Sequence, residues 1–175
     1  EIEAYLNRDF NDLKPGTMKM NCLISERAAK GVEEKVNHTL AQGAKLLWGG
    51  RRQGAFYEPT VIADVPKTAD VAKDMEIVGP VVPISGFDTD EEAVEIANGS
   101  SFGLSSCVFS RDAKRALRVA SRMEAGGAVI NGASFFRSFE MPFGGWKHSG
   151  IGTEGVFSTF DEMTRSKTIV LKNIL

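Results

Sequence analysis

Three stretches of this sequence carry residue types that could do chemistry. In Asp74-Met75-Glu76-Ile77-Val78-Gly79-Pro80 a carboxylate precedes a Gly-Pro turn and an apolar run. A carboxylate so placed could accept paired hydrogen bonds from a diol such as a ribose, each charge-assisted bond contributing roughly 1.5–3 kcal/mol; a solvated glutamate before a turn is the plainer alternative. Phe135, Phe136, Arg137 and Phe139 set one guanidinium among aromatic surface. Arg137 could grip a carboxylate or phosphate, since the guanidinium fork suits planar anions, or it could be a surface arginine. Met141 to Gly155 gathers Gly144, Gly145, Gly150, Gly152 and Gly155 beside Phe143, Trp146, Lys147 and His148. Glycine at that density signals a backbone that needs positive φ or close approach. The aromatics next to it could wall a pocket or be ordinary core.

Gly150-Ile151-Gly152-Thr153-Glu154-Gly155 satisfies G-x-G-x-x-G literally. That pattern means dinucleotide binding only straight after a strand, opening a helix, with an acid about 20 residues on. Here a glycine turn and Lys147-His148-Ser149 precede it, and the downstream stretch Thr168 to Lys172 holds no acid. A dinucleotide fold built on these glycines is therefore not expected. Cys22 and Cys107 are widely separated and, with only His38 and His148 besides, offer no metal-ligand spacing. No metal site is expected, and reduced thiols in a cytoplasmic protein fit better than a disulfide scaffold.

Positioning these stretches falls to alternating helices and strands. Ser25 is placed to cap a helix from Glu26 to Gln42, with Ala28, Val32, Val36 and Leu40 on one face and Gly43 stopping it. Strands are predicted at Lys45–Trp48, Tyr57–Ala63, Val81–Phe87, Leu104–Phe109, Ala128–Asn131 and Lys167–Lys172, and a helical turn around Ala69–Asp74. Thr89 with Glu92 forms a capping box opening a helix that buries Ala93, Ile96 and Ala97 and stops near Gly99. Ser110 is placed to cap a helix with Ala113, Ala116, Leu117, Ala120 and Met123 on one face, ended by Gly126-Gly127. A short helix follows near Val156–Met163. This alternation implies an α/β fold with a parallel sheet and helices on both faces, whose ligands lie beyond the carboxyl ends of the strands. The Asn131–Gly145 segment leaves one such strand end.

A net charge of -2 removes the electrostatic case for nucleic acid or an anionic membrane surface. The apolar runs are too short to span a bilayer. The first residue is Glu1, and Ile2, Tyr5 and Leu6 look like the tail of a helical stripe, which leads us to expect a piece of a longer polypeptide. Lys14-Pro15-Gly16 reads as a turn.

Taken together, Glu76-Ile77-Val78-Gly79-Pro80, Thr89 to Ala93, Ala97-Asn98, Phe102 to Ser105, Val108-Phe109-Ser110, Ala125 to Asn131, and Pro142 to Lys147 with Ser149-Gly150 resemble the NAD(P)-dependent aldehyde dehydrogenase superfamily. The resemblance runs in the family's order over nearly the whole chain and matches the last third of such an enzyme. It implies a three-layer αβα catalytic-domain fragment (residues 1–165) and a C-terminal oligomerisation strand (166–175), in a homodimer or homotetramer. It implies that Glu76 binds the nicotinamide ribose of NAD or NADP. Val78 stands where a phenylalanine usually packs near the nicotinamide, and it offers less flat apolar surface. Phe143 would line the substrate tunnel, and Gly132–Glu140 would be the substrate-facing loop, so that Arg137 and Phe136 become substrate contacts and Arg137 suits a semialdehyde. Thr153 stands where an arginine is common.

The family's chemistry is covalent catalysis on a cysteine with a glutamate base. Both are expected N-terminal to this chain, which alone should not catalyse the reaction. Cys22 falls past the nucleophile position, and Cys107, inside a strand, is expected to be a small buried residue. The alternative is a catalytically dead homologous module serving assembly or binding.

Overall fold

The computed structural model describes residues 21–173, so Ile2, Tyr5, Leu6 and the Lys14–Gly16 turn lie outside the described residues. Two units divide the chain, one ending at Ser100 and the other beginning at Ser101.

The first unit is built on helix α1, Glu26–Ala41. The Ser25 hydroxyl accepts from the Ala28 amide at 3.1 Å, as its position predicts. The chain leaves the helix through Gly43, whose φ of 108° lies in the left-handed region that glycine tolerates best. The buried stripe is Ala29, Val32, Val36 and Thr39, rotated slightly from the predicted face. It packs on a core of Ala44, Tyr57, Ile62, Val65 and Ala69.

Strand β1, Lys45–Trp48, pairs antiparallel with β4, Thr60–Ala63, which pairs parallel with β5, Val81–Pro83. The single strand expected over Tyr57–Ala63 is broken. Phe56–Tyr57 (β3) forms a hairpin with Arg52–Gln53 (β2), and Glu58 and Pro59 separate it from β4. Glu58 turns its carboxylate inward to Arg51, and Pro59 has no amide to continue a ladder. Strand β5 ends at Pro83, short of the expected Phe87, although the Ile84 amide still donates to the Ile62 carbonyl at 2.8 Å. Helix α2, Asp90–Asn98, is capped as predicted: Thr89 Oγ1 accepts from the Glu92 amide at 3.2 Å, while the Glu92 carboxylate reaches the Asp88 amide at 2.6 Å. Only Val94 of this helix is buried; Ala93, Ile96 and Ala97 are not.

In the second unit β6, Phe102–Gly103, pairs antiparallel with β9, Trp146–Lys147. Strands β7, Ser105–Val108, and β8, Gly127–Ile130, are parallel and joined by helix α3, Ala113–Ala120, a βαβ crossover. Asp112, not Ser110, caps α3: one carboxylate oxygen accepts from both the Lys114 and Arg115 amides. Ala116 and Val119 are the buried pair, whereas Leu117 is 62% exposed, and Gly127 begins a strand rather than ending the helix. Cys107 is exposed, contrary to its expected burial, because its side chain stands on the uncovered face of β7.

Helix α4, Val156–Met163, matches its predicted span. The strand expected at Lys167–Lys172 is not formed; these residues pair with nothing among those described, and Ile169, Val170 and Leu171 are 74–79% exposed. An extended segment becomes a strand only when a neighbour satisfies its amides. No described helix is long and apolar enough to cross a membrane.

Candidate active site

In the first unit, α1 grips the segment around Glu76 at three successive levels. Near its C-terminal end, His38 Nε2 lies 2.7 Å from Asp70 Oδ2, and Gln42 both donates to that carboxylate and accepts from the Asp70 amide. These bonds hold the Asp70 carboxyl below its ordinary range, with His38 the largest cause. One turn earlier, Lys35 Nζ donates to the Glu76 carbonyl at 2.6 Å. Earlier again, Val32 packs so tightly on Gly79 that a Cβ there would lie 2.7 Å from Val32 Cγ2. Gly79 is thus the residue the close approach requires.

Between these grips the backbone bends through Gly79 N–H to Ile77 C=O at 3.0 Å and Val81 N–H to Gly79 C=O at 2.9 Å. The Glu76 side chain is exposed. Val78, 69% exposed, borders a concavity of about 520 Å³ with Leu23, Ala28, Gly31, Val32 and Lys35. Exposed carboxylate and exposed apolar surface therefore sit two residues apart on a held loop.

In the second unit, Asn131 turns the chain out of β8. Its φ of 54° is left-handed, a conformation asparagine adopts more readily than most residues. Its amide side chain exchanges two 2.9 Å bonds with the backbone of Ser110, so Ser110 anchors this exit rather than capping a helix. The segment after it lines a concavity of about 390 Å³ at the carboxyl end of β8, walled by Val129, Asn131, Gly132, Phe135 and Phe136. The Arg137 guanidinium lies over the Phe143 ring, 3.1 Å from its centroid, a cation–π stack.

The glycine-rich stretch doubles back on itself. Phe143 and Glu154 exchange backbone hydrogen bonds at 2.8 and 2.6 Å. A Cβ on Gly144 would meet the Gly152 carbonyl at 2.6 Å, and one on Gly145 would meet Ser149 at 2.5 Å. These glycines serve the crossing of their own backbone, and Gly150–Gly155 follows a two-residue strand and a turn, not the strand end a dinucleotide turn needs. Trp146 is 53% exposed on β9 and is not core.

Glu76 and Val78 thus belong to the first unit, and Arg137, Phe136 and Phe143 to the second. Arg137 and Phe143 are in contact, and Phe136 lines the concavity next to them in sequence. Sequence reasoning missed Lys35 and Asn131. Lys35 left no signal, since its partner lies 41 residues away; Asn131, following an apolar strand and preceding Gly132, could have been read as a left-handed exit. Among the described residues no group of three or more His, Cys, Asp or Glu could hold a metal ion.

Residues 6–169 match the model of the aldehyde dehydrogenase family. The chain is 42% identical over 153 residues to the lactaldehyde dehydrogenase of Methanococcus aeolicus, covering 87% of this chain and 32% of that protein. Among solved structures it is similar to aldehyde dehydrogenase 21 from Physcomitrella patens in complex with the reaction product succinate, with TM-score 0.82, 43% identity, and 90% and 32% of the two chains covered. It is also similar to the glyceraldehyde-3-phosphate dehydrogenase of Methanocaldococcus jannaschii complexed with NADP, with TM-score 0.77, 41% identity, and 85% and 32% covered. The chain belongs to the aldehyde dehydrogenase family, and its fold is that of the family's catalytic domain. It spans about a third of the length of the curated relatives it matches.

Proposed function

We propose that this chain is the C-terminal part of an NAD(P)-dependent aldehyde dehydrogenase that oxidises an aldehyde to a carboxylic acid. The observation that carries the reading is the Glu76–Gly79 loop, held by α1 with its carboxylate exposed and Val78 beside an apolar concavity. That pairing fits a nicotinamide dinucleotide: Glu76 accepts hydrogen bonds from the ribose diol, and Val78 offers apolar surface to the ring. The dinucleotide, when bound, accepts the hydride. The nucleophilic cysteine and the base belong to the remainder of the enzyme; Cys22 and Cys107 stay outside the chemistry, and the chain alone is inactive. Residues 1–165 serve the catalytic domain, and 166–175 form the oligomerisation strand of a cytoplasmic homodimer or homotetramer. The exposed Ile169, Val170 and Leu171 support that role, and the free thiols support that compartment.

Replacing Glu76 tests the cofactor assignment. In the full-length enzyme Glu76→Gln raises the KM for NAD(P) roughly tenfold, as expected for loss of a charge-assisted hydrogen bond. Steady-state kinetics against dinucleotide concentration measure it; unchanged constants would refute the assignment.

Phe143 and Phe136 wall the substrate path, and Arg137 gives it a cation. The stack on Phe143 holds the guanidinium with its edge N–H groups free to meet a carboxylate. An acidic semialdehyde is the substrate class this favours, and the succinate held by the similar Physcomitrella patens enzyme is of that charge. Arg137→Ala should lower kcat/KM for an acidic semialdehyde about tenfold more than for a neutral aldehyde of equal length. Equal losses for both would remove anion recognition from this residue.

A further inference from the structure

We propose that Lys35 is a positioning residue for the cofactor: it fixes the main chain at Glu76 and thereby sets where the carboxylate points. The inference rests on the assignment of Glu76 to the ribose. The Glu76 segment belongs to no helix or strand, so nothing in its own secondary structure locks it. Its anchorage comes from α1, and the Lys35 ammonium supplies the hydrogen bond nearest the functional carboxylate, directly on the carbonyl of the same residue at 2.6 Å. Lys35 can act as a fixed post because it stands between Val32 and Val36, which are 3% and 1% exposed and tie this part of the helix to the core. The lysine stem lies along the concavity that Val78 borders, so the side chain is only partly exposed. A bond from a cation to a carbonyl is stronger than a neutral one, and it constrains the peptide plane from which the Glu76 side chain departs.

Val32 and Gly79 close one end of the loop, and His38, Gln42 and Asp70 close the other. Lys35 holds the middle. Methionine at 35 would keep the apolar stem and remove only the donor, whereas arginine would keep a donor of similar reach.

The test uses the full-length enzyme and titrates NAD and NADP by equilibrium binding alongside kinetics. Lys35→Met should weaken dinucleotide binding about tenfold, with the KM for aldehyde and the thermal unfolding midpoint little changed; Lys35→Arg should restore binding to within about threefold of wild type. Because Lys35 acts through Glu76, the double variant Lys35→Met/Glu76→Gln should bind no worse than Glu76→Gln alone. Wild-type binding by Lys35→Met beside weakened binding by Glu76→Gln would overturn the Lys35 proposal and leave the cofactor assignment standing. Unchanged binding in both would overturn the two together. Fully multiplicative losses in the double variant would show Lys35 acting independently of Glu76, which also overturns positioning. Should Lys35→Met fail to fold, Lys35→Gln serves the same comparison.

Discussion

Gly126→Ala should unfold the glycine-rich crossing, lowering stability by about 3 kcal/mol, or roughly 6–12 °C in the Tm of a domain this size. A Cβ at Gly126 would fall on the Gly144 carbonyl, with the Leu104 carbonyl closing the other side at 3.4 Å. Neither obstacle is the movable tip of a side chain; both are backbone. The Gly126 amide meanwhile donates to the Gly103 carbonyl at 3.1 Å, so the residue cannot retreat without breaking that bond. The control is its neighbour. A Cβ at Gly127 meets nothing within 4 Å, and Gly127→Ala should be neutral or slightly stabilising through the unfolded chain. Thermal unfolding of the two variants decides it: comparable melting points would mean that the Gly144 segment can move aside at little cost. Displacing Gly144 would also drag Phe143 and the arginine stacked on it.

Arg51→Met should destabilise the first unit by about 2–3 kcal/mol. The Glu58 side chain is only 8% exposed, and Arg51 donates to both its oxygens, from Nε at 2.9 Å and from the terminal nitrogen at 2.6 Å. Without the guanidinium, the carboxylate keeps one long bond, from the Arg51 amide at 3.4 Å. The cost is the penalty of an under-solvated charge, not the net worth of the pair. Replacing both partners, Arg51→Met with Glu58→Gln, should therefore recover more than half of the loss. Urea denaturation measures both, and a double variant as unstable as the single would place the effect in lost arginine packing instead.

The parts of this molecule legible in its sequence are those decided within one turn of helix. Ser25 and Thr89 cap because a hydroxyl three residues from a free amide has few competitors. Val156–Met163 follows from its own pattern. Where two cappers stand close together, as Ser110 and Asp112 do, the carboxylate takes the Lys114 and Arg115 amides and the Ser110 hydroxyl accepts from the Asp112 amide instead. The expected core faces shifted because exposure depends on what lies opposite: Leu117 had the right period and no surface to meet. The candidate site was legible as motif, not as geometry. Glu76 before a Gly-Pro turn and Phe143 before a glycine pair can be found by eye, whereas the lysine that holds Glu76 comes from a helix 41 residues earlier. Lys167–Lys172 is a strand by composition only, since strand formation needs a neighbour that composition does not supply.

The Asn131–Ser110 exchange at one end and the Phe143–Glu154 bridge at the other enclose residues 132–142 between two backbone clamps. The side chains from Ser134 to Glu140 are all exposed, so none of them is needed to hold the clamps shut. Apart from Arg137, whose stack on Phe143 would be lost, substitutions there should leave stability within about 0.5 kcal/mol. The loop is in effect an exchangeable cassette: its side chains can be rewritten without renegotiating how the chain folds.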